Sequence, residues 1–384
     1  MQIEPEPIHI LHVFGCMDRG GAETRTLELM RSLDRAKFRF EFVSLLGSRG
    51  DFDDEIAAMG GKVHYLKLDW IFPLRFMALL LRRHYGVIHS HVHFFSAFLL
   101  FLGRIAGVSR RIAHFRSTAD GKGNGLVRRI RNRFLKFLLL QTATDIVGVS
   151  EASLVISLGP GWAGDERCQV IYSGIRKEDF QAEPDRDGVR REFCFPDNSM
   201  LVIHVGRQVP EKNHARLMRI FAEIAARIPQ ARLLLAGKRE NPIETEMTEI
   251  AKAHGILERI VFAGVRKDIG RLLAAADVMI FPSLREGLPG AVVEAAAAGI
   301  PIVASAIPGI AELCVKLPGL ICLELAQSDT DWANCAIEAM QSQAGNDARR
   351  RAFPSLLDLH CSKVKFENVY LQGRELHNPS GRSQ

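Results

Sequence analysis

The sequence predicts an α/β chain built on two doubly wound parallel sheets. Short apolar runs recur along it, each followed by a glycine-bearing turn and then a stretch with helical period, which is how buried parallel strands and their crossover helices read. The pattern opens at Ile8 and restarts at Met200. Between the halves, Lys177–Ser199 is polar and holds Pro184 and Pro196, the composition of a linker. These observations divide the chain into a first domain over residues 1–176, a linker over 177–199, a second domain over 200–354 and a tail over 355–384. A length of 384 residues suits two or three ordinary domains.

In the first half, Ile8–Phe14 reads as a buried strand, Gly15–Gly21 as a glycine loop, and Ala22–Leu33 as a helix with Leu27, Leu29, Met30 and Leu33 on its apolar side. The loop is not the G-x-G-x-x-G fingerprint, which speaks against a dinucleotide cofactor. Phe40–Leu46 and Lys62–Leu66 follow as strands around the short helix Asp53–Met59. Leu74–Arg83 reads as a helix and Val87–His91 as a strand. His89, His91 and His93 alternate there, so on a strand they would share a face and could take zinc, although no acidic or cysteine partner lies nearby. Phe94–Ala106 is a helix stopped at Gly107. Arg110–His114 is a strand, with His114 near the carboxyl end where open α/β sheets bind ligands. Phe115–Gly125 reads as a mobile loop.

Leu126–Leu140 mixes Arg128, Arg129, Arg131, Arg133 and Lys136 with Leu126, Val127, Ile130, Phe134, Leu135, Phe137 and Leu138. Such a helix could lie on an anionic membrane or could be a sheet-covering helix with one solvated face. Both readings stay open on the residues. No basic module interleaved with aromatics argues for nucleic acid. Strands over Thr144–Glu151 and Val170–Ile175 close the half.

The second half repeats the plan. Strands are expected at Met200–Val205, Ala231–Ala236 and Arg259–Phe262, and helices at Ala215–Arg227, Glu244–His254 and Ile269–Ala275. Arg207 and Lys212 flank a glycine–proline loop after the first of these strands. Two cations there could clamp a diphosphate, Arg through its planar fork and Lys as a point charge, or could simply be solvated. Val278–Phe281 is a buried strand, and Glu286-Gly287-Leu288-Pro289-Gly290 a turn whose backbone amides can approach an anion. Ala291–Ala298 is a small-residue helix stopped by Gly299 and followed by Pro301. Glu286 and Glu294 stand eight residues apart across that turn, placed to accept hydrogen bonds from hydroxyl groups. After Asp331 the chain reads as irregular, with Ser355–Leu371 the candidate for a final helix.

The net charge of +6 fits anionic partners without choosing among them, and 47% hydrophobic residues can fill real cores. Seven cysteines, without C-x-x-C pairs, read as reduced thiols of a cytoplasmic protein. The N-terminus lacks the pattern of a signal peptide, and no apolar run is long enough to span a bilayer, so membrane contact is expected to be peripheral.

The stretch from Phe281 to Ser305 resembles the signature of the retaining, GT4-type (group 1) glycosyltransferases, P-S-x-x-E-G-L-P…E-A-x-A-x-G-x-P-x-V-A-S. Gly20-Gly21-Ala22-Glu23, the histidine-bearing strand ends and G-R-x-x-x-x-K-N from Gly206 are similar to further motifs of that family. Ser173 and Arg176 depart from its usual Asn and Asp. The resemblance, which points to exopolysaccharide- or capsule-type members, implies two Rossmann-like domains facing across a cleft, the GT-B arrangement. It implies metal-independent transfer of a hexosyl unit from a nucleotide-diphosphate sugar to a saccharide or lipid-linked acceptor, with no further cofactor. Gly20 and Gly21 would approach the donor phosphates and acceptor, and His114 the active site. Arg207 and Lys212 would hold the diphosphate, with the Gly287 and Leu288 amides beside them. Glu286 would meet the sugar and Glu294 the ribose. A nucleotide-sugar epimerase on the same fold is the alternative. An oxidoreductase and a non-catalytic sensor fit less well.

Overall fold

The structure, a computed structural model, describes residues 6–117, 125–181, 183–341 and 345–372. The chain forms two compact units, one drawn from the residues up to Gly174 together with the helix Leu359–Leu371, the other from Ile175–Asp358.

The first unit is a seven-stranded parallel sheet. Its strands are β1 (Ile8–Phe14), β2 (Phe38–Ser44), β3 (Lys62–Tyr65), β4 (Val87–Ser90), β5 (Arg110–Phe115), β6 (Asp145–Gly148) and β7 (Cys168–Val170), in the order β3-β2-β1-β4-β5-β6-β7. Side chains alternate across β1. Leu11 and Val13 join Phe76, Ile88 and Leu100 under the helices Phe72–Arg83, Ser96–Ile105 and Leu126–Thr142. Ile10 and Phe14 face the other way, toward a core closed by the helices Gly21–Ser32 and Leu359–Leu371, where Phe366, Val369 and Tyr370 pack with Phe38. His12 shares that second face. The parallel register sets His12 beside His89, and His89 beside Ile112, so His114 two residues on falls on the same face.

The second unit is a six-stranded parallel sheet of β8 (Met200–Val205), β9 (Ala231–Ala236), β10 (Ile260–Gly264), β11 (Val278–Phe281), β12 (Ile302–Ser305) and β13 (Leu320–Leu323), ordered β10-β9-β8-β11-β12-β13. Residues 177–199, expected as a linker, are built into this unit. Asp185 caps the helix Arg186–Glu192, Arg186 pairs with Asp277 at 2.7 Å, and Arg271 binds both Asp185 and Glu192. A Cβ on Gly270 would run into the Asp179 carbonyl, so glycine is what lets the segment close on the core.

The region after Asp331 is not irregular. Asp329–Gln341 is a helix that buries Trp332, Ala333 and Ala336 against Phe221 and Ile224, and Asn346–Arg351 a shorter one. Apart from one tryptophan its buried face is alanine, a weak signal in the sequence. Losing such a buried indole costs about 3–5 kcal/mol, so this helix is part of the core. Glu151–Leu158 also forms a helix, capped by Ser150, where the sequence suggested that a strand runs on to Glu151.

Candidate active site

The second unit assembles its candidate residues on the loops that follow β8 and β11. After Gly206, a short 3-10 turn (Pro210–Lys212) ends at Asn213 in the left-handed region, φ 55°, and the Asn213 amide donates to the Pro282 carbonyl at 3.1 Å. The Leu284 amide donates to the Glu211 carbonyl at 2.7 Å, and Arg285 donates to the Glu211 carboxylate at 3.0 Å. The two loops are therefore stitched together by backbone and side chain. The result is a direct meeting of two expected site residues. Lys212 Nζ donates to Glu286 Oε1 at 2.6 Å and stands 4.5 Å from the centre of the Phe281 ring. Their side chains are only 19% and 13% exposed, so removing either partner would leave the other charge poorly solvated.

Arg207, on the same glycine loop, is exposed, and no side chain among the described residues holds it. Gly287 is buried and Leu288 half-buried. A Cβ on Gly309 would strike the carbonyls of Glu286 and Gly287, so the next helix packs directly on this turn. Glu294 lies half-buried in the helix Gly290–Ala298, whose run Ala295–Ala298 is buried and whose stop, Gly299, has φ 76°.

His204 and His214, which sequence reasoning passed over, sit behind the loop and line a small cavity with Gly206, Gln208 and Gly237. His204 Nδ1 donates to the Ile280 carbonyl at 2.9 Å. Burial, then the charges around it, hold His204 well below its ordinary pKa. Burial and Lys212 hold His214 at about 4.

In the first unit, Gly20 is the extended N-cap of the helix Gly21–Ser32. His114 is buried near the end of β5, at the edge of a histidine cluster. Tyr370 on the final helix hydrogen-bonds His89 Nδ1 at 2.9 Å, and His89 Nε2 meets His114 Nδ1 at 3.0 Å. Beside that chain runs a second. Arg116 Nε donates to His91 Nδ1 at 2.9 Å, and His91 Nε2 meets His12 Nδ1 at 3.0 Å. Arg116 also donates to Thr26 Oγ1 at 2.9 Å, tying the end of β5 to the glycine-capped helix.

Arg116, the first residue after β5, is half-buried and held by these hydrogen bonds. Residues 118–124 of the expected mobile loop lie outside the described residues. Burial lowers Arg116 to about 10, with Glu23 opposing the shift. Burial lowers His12 to about 3 and takes His89, His91 and His114 well below their ordinary values, so all four rings are neutral at pH 7.

The expected zinc trio does not assemble. His93 leaves it, turned in a 3-10 turn with φ 50° against Phe94 and Phe115. His12, His89 and His91 instead bring ring nitrogens within 4.8 Å of one another and are the residues that could hold a metal. To do so they would have to surrender the hydrogen bonds just described. Both His91 nitrogens are engaged, one by a guanidinium whose charge opposes a cation. His12 and Arg116 carried no signal in the sequence, since their partners lie far along the chain.

On the helix Leu126–Thr142, Leu139 and Thr142 are buried, while Leu126, Val127, Ile130, Phe134 and Phe137 face outward, Val127 at 82% exposure. This apolar stripe does not pack on the sheet. Among the described residues, no helix is long and apolar enough to cross a membrane.

The glycosyl transferase 4-like domain matches residues 20–163, and the domain of the glycosyl transferases group 1 matches residues 199–342. The chain is 30% identical over 341 residues to EpsF of Bacillus subtilis (strain 168), which bears a glycosyltransferase name, with 86% of this chain and 87% of EpsF covered. It is 30% identical over 295 residues to the capsular polysaccharide biosynthesis glycosyltransferase CapH of Staphylococcus aureus, covering 75% of this chain and 78% of that one. Its fold is similar to that of Anabaena Alr3699/HepE in complex with UDP and glucose, with TM-score 0.78, 21% identity, and 94% of this chain and 99% of that one covered. It is also similar to a Rickettsia africae glycosyltransferase, with TM-score 0.80, 16% identity, and 97% and 100% covered. These relatives bear transferase names or titles, or are bound to UDP and a sugar. The epimerase alternative draws no support from them.

Proposed function

The chain belongs to the group 1 glycosyltransferases, and from that premise we propose that it moves a hexosyl unit from a nucleotide-diphosphate sugar to a saccharide or lipid-linked acceptor, with retained anomeric configuration, in the building of a surface or exported polysaccharide. The observation that carries the reading is the pairing of Lys212 with Glu286 beside the exposed Arg207. A departing diphosphate needs positive charge held ready where its own negative charge grows. Arg207 and Lys212 supply it, and the Gly287 and Leu288 amides add dipoles, so the reading requires no metal. While the site is empty, Glu286 keeps Lys212 in place and compensated. When the diphosphate engages Lys212, the Glu286 carboxylate is left to accept from a sugar hydroxyl. Glu294, farther along the helix, takes the ribose. His114 and the Gly20-Gly21 amides serve the donor phosphates and the acceptor from the first unit. HepE, bound to UDP and glucose, makes a uridine donor the first to try.

The helix Leu126–Thr142 carries the membrane part of the proposal. Its outward apolar stripe is bordered by Arg128, Arg129, Arg131, Arg133 and Lys136, the composition that sinks into an anionic lipid surface from the polar side. A lipid-linked acceptor would meet the enzyme there. The test of the activity is incubation with UDP-, GDP- and ADP-sugars and saccharide or lipid-linked acceptors. Nucleoside diphosphate and a glycoside of unchanged anomeric configuration are expected. Release of an isomerised sugar without acceptor, or an inverted product, overturns the reading.

A further inference from the structure

Two hydrogen-bonded chains of imidazoles end side by side in the first unit, and their directions follow from which groups can donate. In the chain Arg116–His91–His12 the direction is forced, because a guanidinium has only donors. His91 Nδ1 must accept, so the neutral His91 carries its proton on Nε2 and donates to His12 Nδ1. The His12 proton is then on Nε2.

In the chain Tyr370–His89–His114 the phenol could donate or accept. Tyr370 is 2% exposed, and His89 is the one side chain hydrogen-bonded to its hydroxyl among the described residues. If the hydroxyl accepted from His89, its own proton would be buried without an acceptor. If it donates, His89 Nδ1 accepts, His89 Nε2–H donates to His114 Nδ1, and every donor along the chain is satisfied except the last. Either direction leaves one donor unpaired: the first leaves it on the Tyr370 hydroxyl, packed against Phe38 and Phe366, and the second leaves it on His114, near the carboxyl end of β5 where open α/β sheets bind ligands, so the second direction is the one a ligand can complete. The last donor is His114 Nε2–H. That nitrogen is buried and meets no partner among the described residues.

We propose that Tyr370 and His89 are positioning residues that fix the proton of His114 on Nε2, so that the ring presents a neutral N–H donor to a ligand oxygen. The proposal rests on the reading of His114 as a residue of the active site. It assigns the final helix a chemical task besides packing, since the hydroxyl that sets the tautomer lies 281 residues from the ring it instructs through. A donor fixed in this way can take a phosphate or hydroxyl oxygen. It cannot serve as a general base, because its lone pair on Nδ1 is already used by His89.

The test uses the full chain labelled with 15N-histidine, with ring protons placed by long-range 1H–15N correlation. Wild type is expected to show His114 protonated at Nε2. Tyr370→Phe removes one hydroxyl and leaves the ring, and should convert His89 and His114 to mixed tautomers. It should also lower kcat about tenfold, the scale of one lost hydrogen bond, while KM for the donor stays within about twofold. Phe366→Leu disturbs the packing of the same helix on His89 and His114 without touching the proton chain, and should leave both tautomers as in wild type. His114 protonated at Nδ1 in wild type, or unchanged by Tyr370→Phe, overturns the proposal. A tautomer that shifts while kcat does not would uphold the relay and sink the catalytic reading of His114.

Discussion

The two units prepare their candidate residues in opposite ways. The second unit holds full charges near the surface: Lys212 and Glu286 pair at 2.6 Å with small but real exposure, and Arg207 stands exposed. The first unit draws its groups away from water and strips the rings of charge: His12, His89 and His114 are buried and His91 half-buried, all neutral and held by hydrogen bonds, with the half-buried Arg116 beside them. The difference is one of solvation. A charge is kept cheaply where water or a counter-ion still reaches it, and a buried ring avoids the cost by staying neutral. On the proposed reading, charge stabilisation falls to the second unit and orientation to the first.

The sharpest way to break this division is to remove the charges. Arg207→Ala and Lys212→Ala should each lower kcat/KM by about 10²–10³-fold, the effect of losing one preorganised charge-stabilising contact. Near wild-type rates with the true donor in both variants would mean that the diphosphate is held elsewhere. The Lys212 change has a second consequence, because it leaves the half-buried Glu286 without its ammonium. Lys212→Arg, which keeps the charge, separates that structural loss from the catalytic one.

The paired glutamates should come next, at about tenfold each, since a hydrogen bond to a charged group contributes roughly 1.5–3 kcal/mol. Glu294→Ala should raise the dissociation constant of the nucleoside diphosphate, measured by calorimetry. Glu286→Ala should leave that constant nearly unchanged and lower turnover instead, with looser choice of sugar. Equal losses of nucleotide affinity in the two variants would end the proposed split between sugar and ribose.

Acid should expose the neutral histidines. Their folded pKa values lie below the ordinary 6.5, so between about pH 6.5 and 3 the unfolded chain binds more protons than the folded one. Stability is then fully present above pH 6.5 and falls as the pH drops, by about 1.4 kcal/mol per pH unit for each such ring. The first unit holds His12, His89, His91 and His114, against His204 and His214 in the second. In calorimetric melts from pH 7 to 5 the transition of the first unit should therefore move down faster. Melts that do not move with pH would show that these rings are charged in the folded protein.

The smallest effect is expected at the helix Leu126–Thr142. Arg128→Glu, Arg129→Glu and Arg133→Glu together should weaken salt-sensitive sedimentation with anionic vesicles by about 1 kcal/mol for each basic side chain removed. Phe134→Ser should weaken binding without changing its salt dependence. Equal sedimentation of wild type with neutral and anionic vesicles would leave the outward stripe without a lipid partner.

Local chemistry was enough to read the strands and their glycine stops. Ile8–Phe14, Ala231–Ala236 and Val278–Phe281 stand where the apolar runs put them, because a buried parallel strand is a short apolar run and little else. The turn at Glu286, the helix stop at Gly299 and the family itself were legible for the same reason, as residues that act within a few positions of one another. What the sequence could not determine is which distant residues meet. Lys212 and Glu286 are separated by 74 residues, and their pairing depends on Asn213 and Glu211 joining two loops from neighbouring strands. His12 had no reason to be singled out until the register of β1 on β4 set it beside His89. Residues 177–199 have a linker's composition, and it is the burial of Val189 and Phe195, with the ion pairs of Arg186 and Arg271 around them, that makes them part of a core. Tyr370 is one aromatic on a weakly patterned helix, and it became part of the histidine chain through tertiary packing alone. Hydrogen bonds and burial act through space, and a linear pattern records only those made between near neighbours.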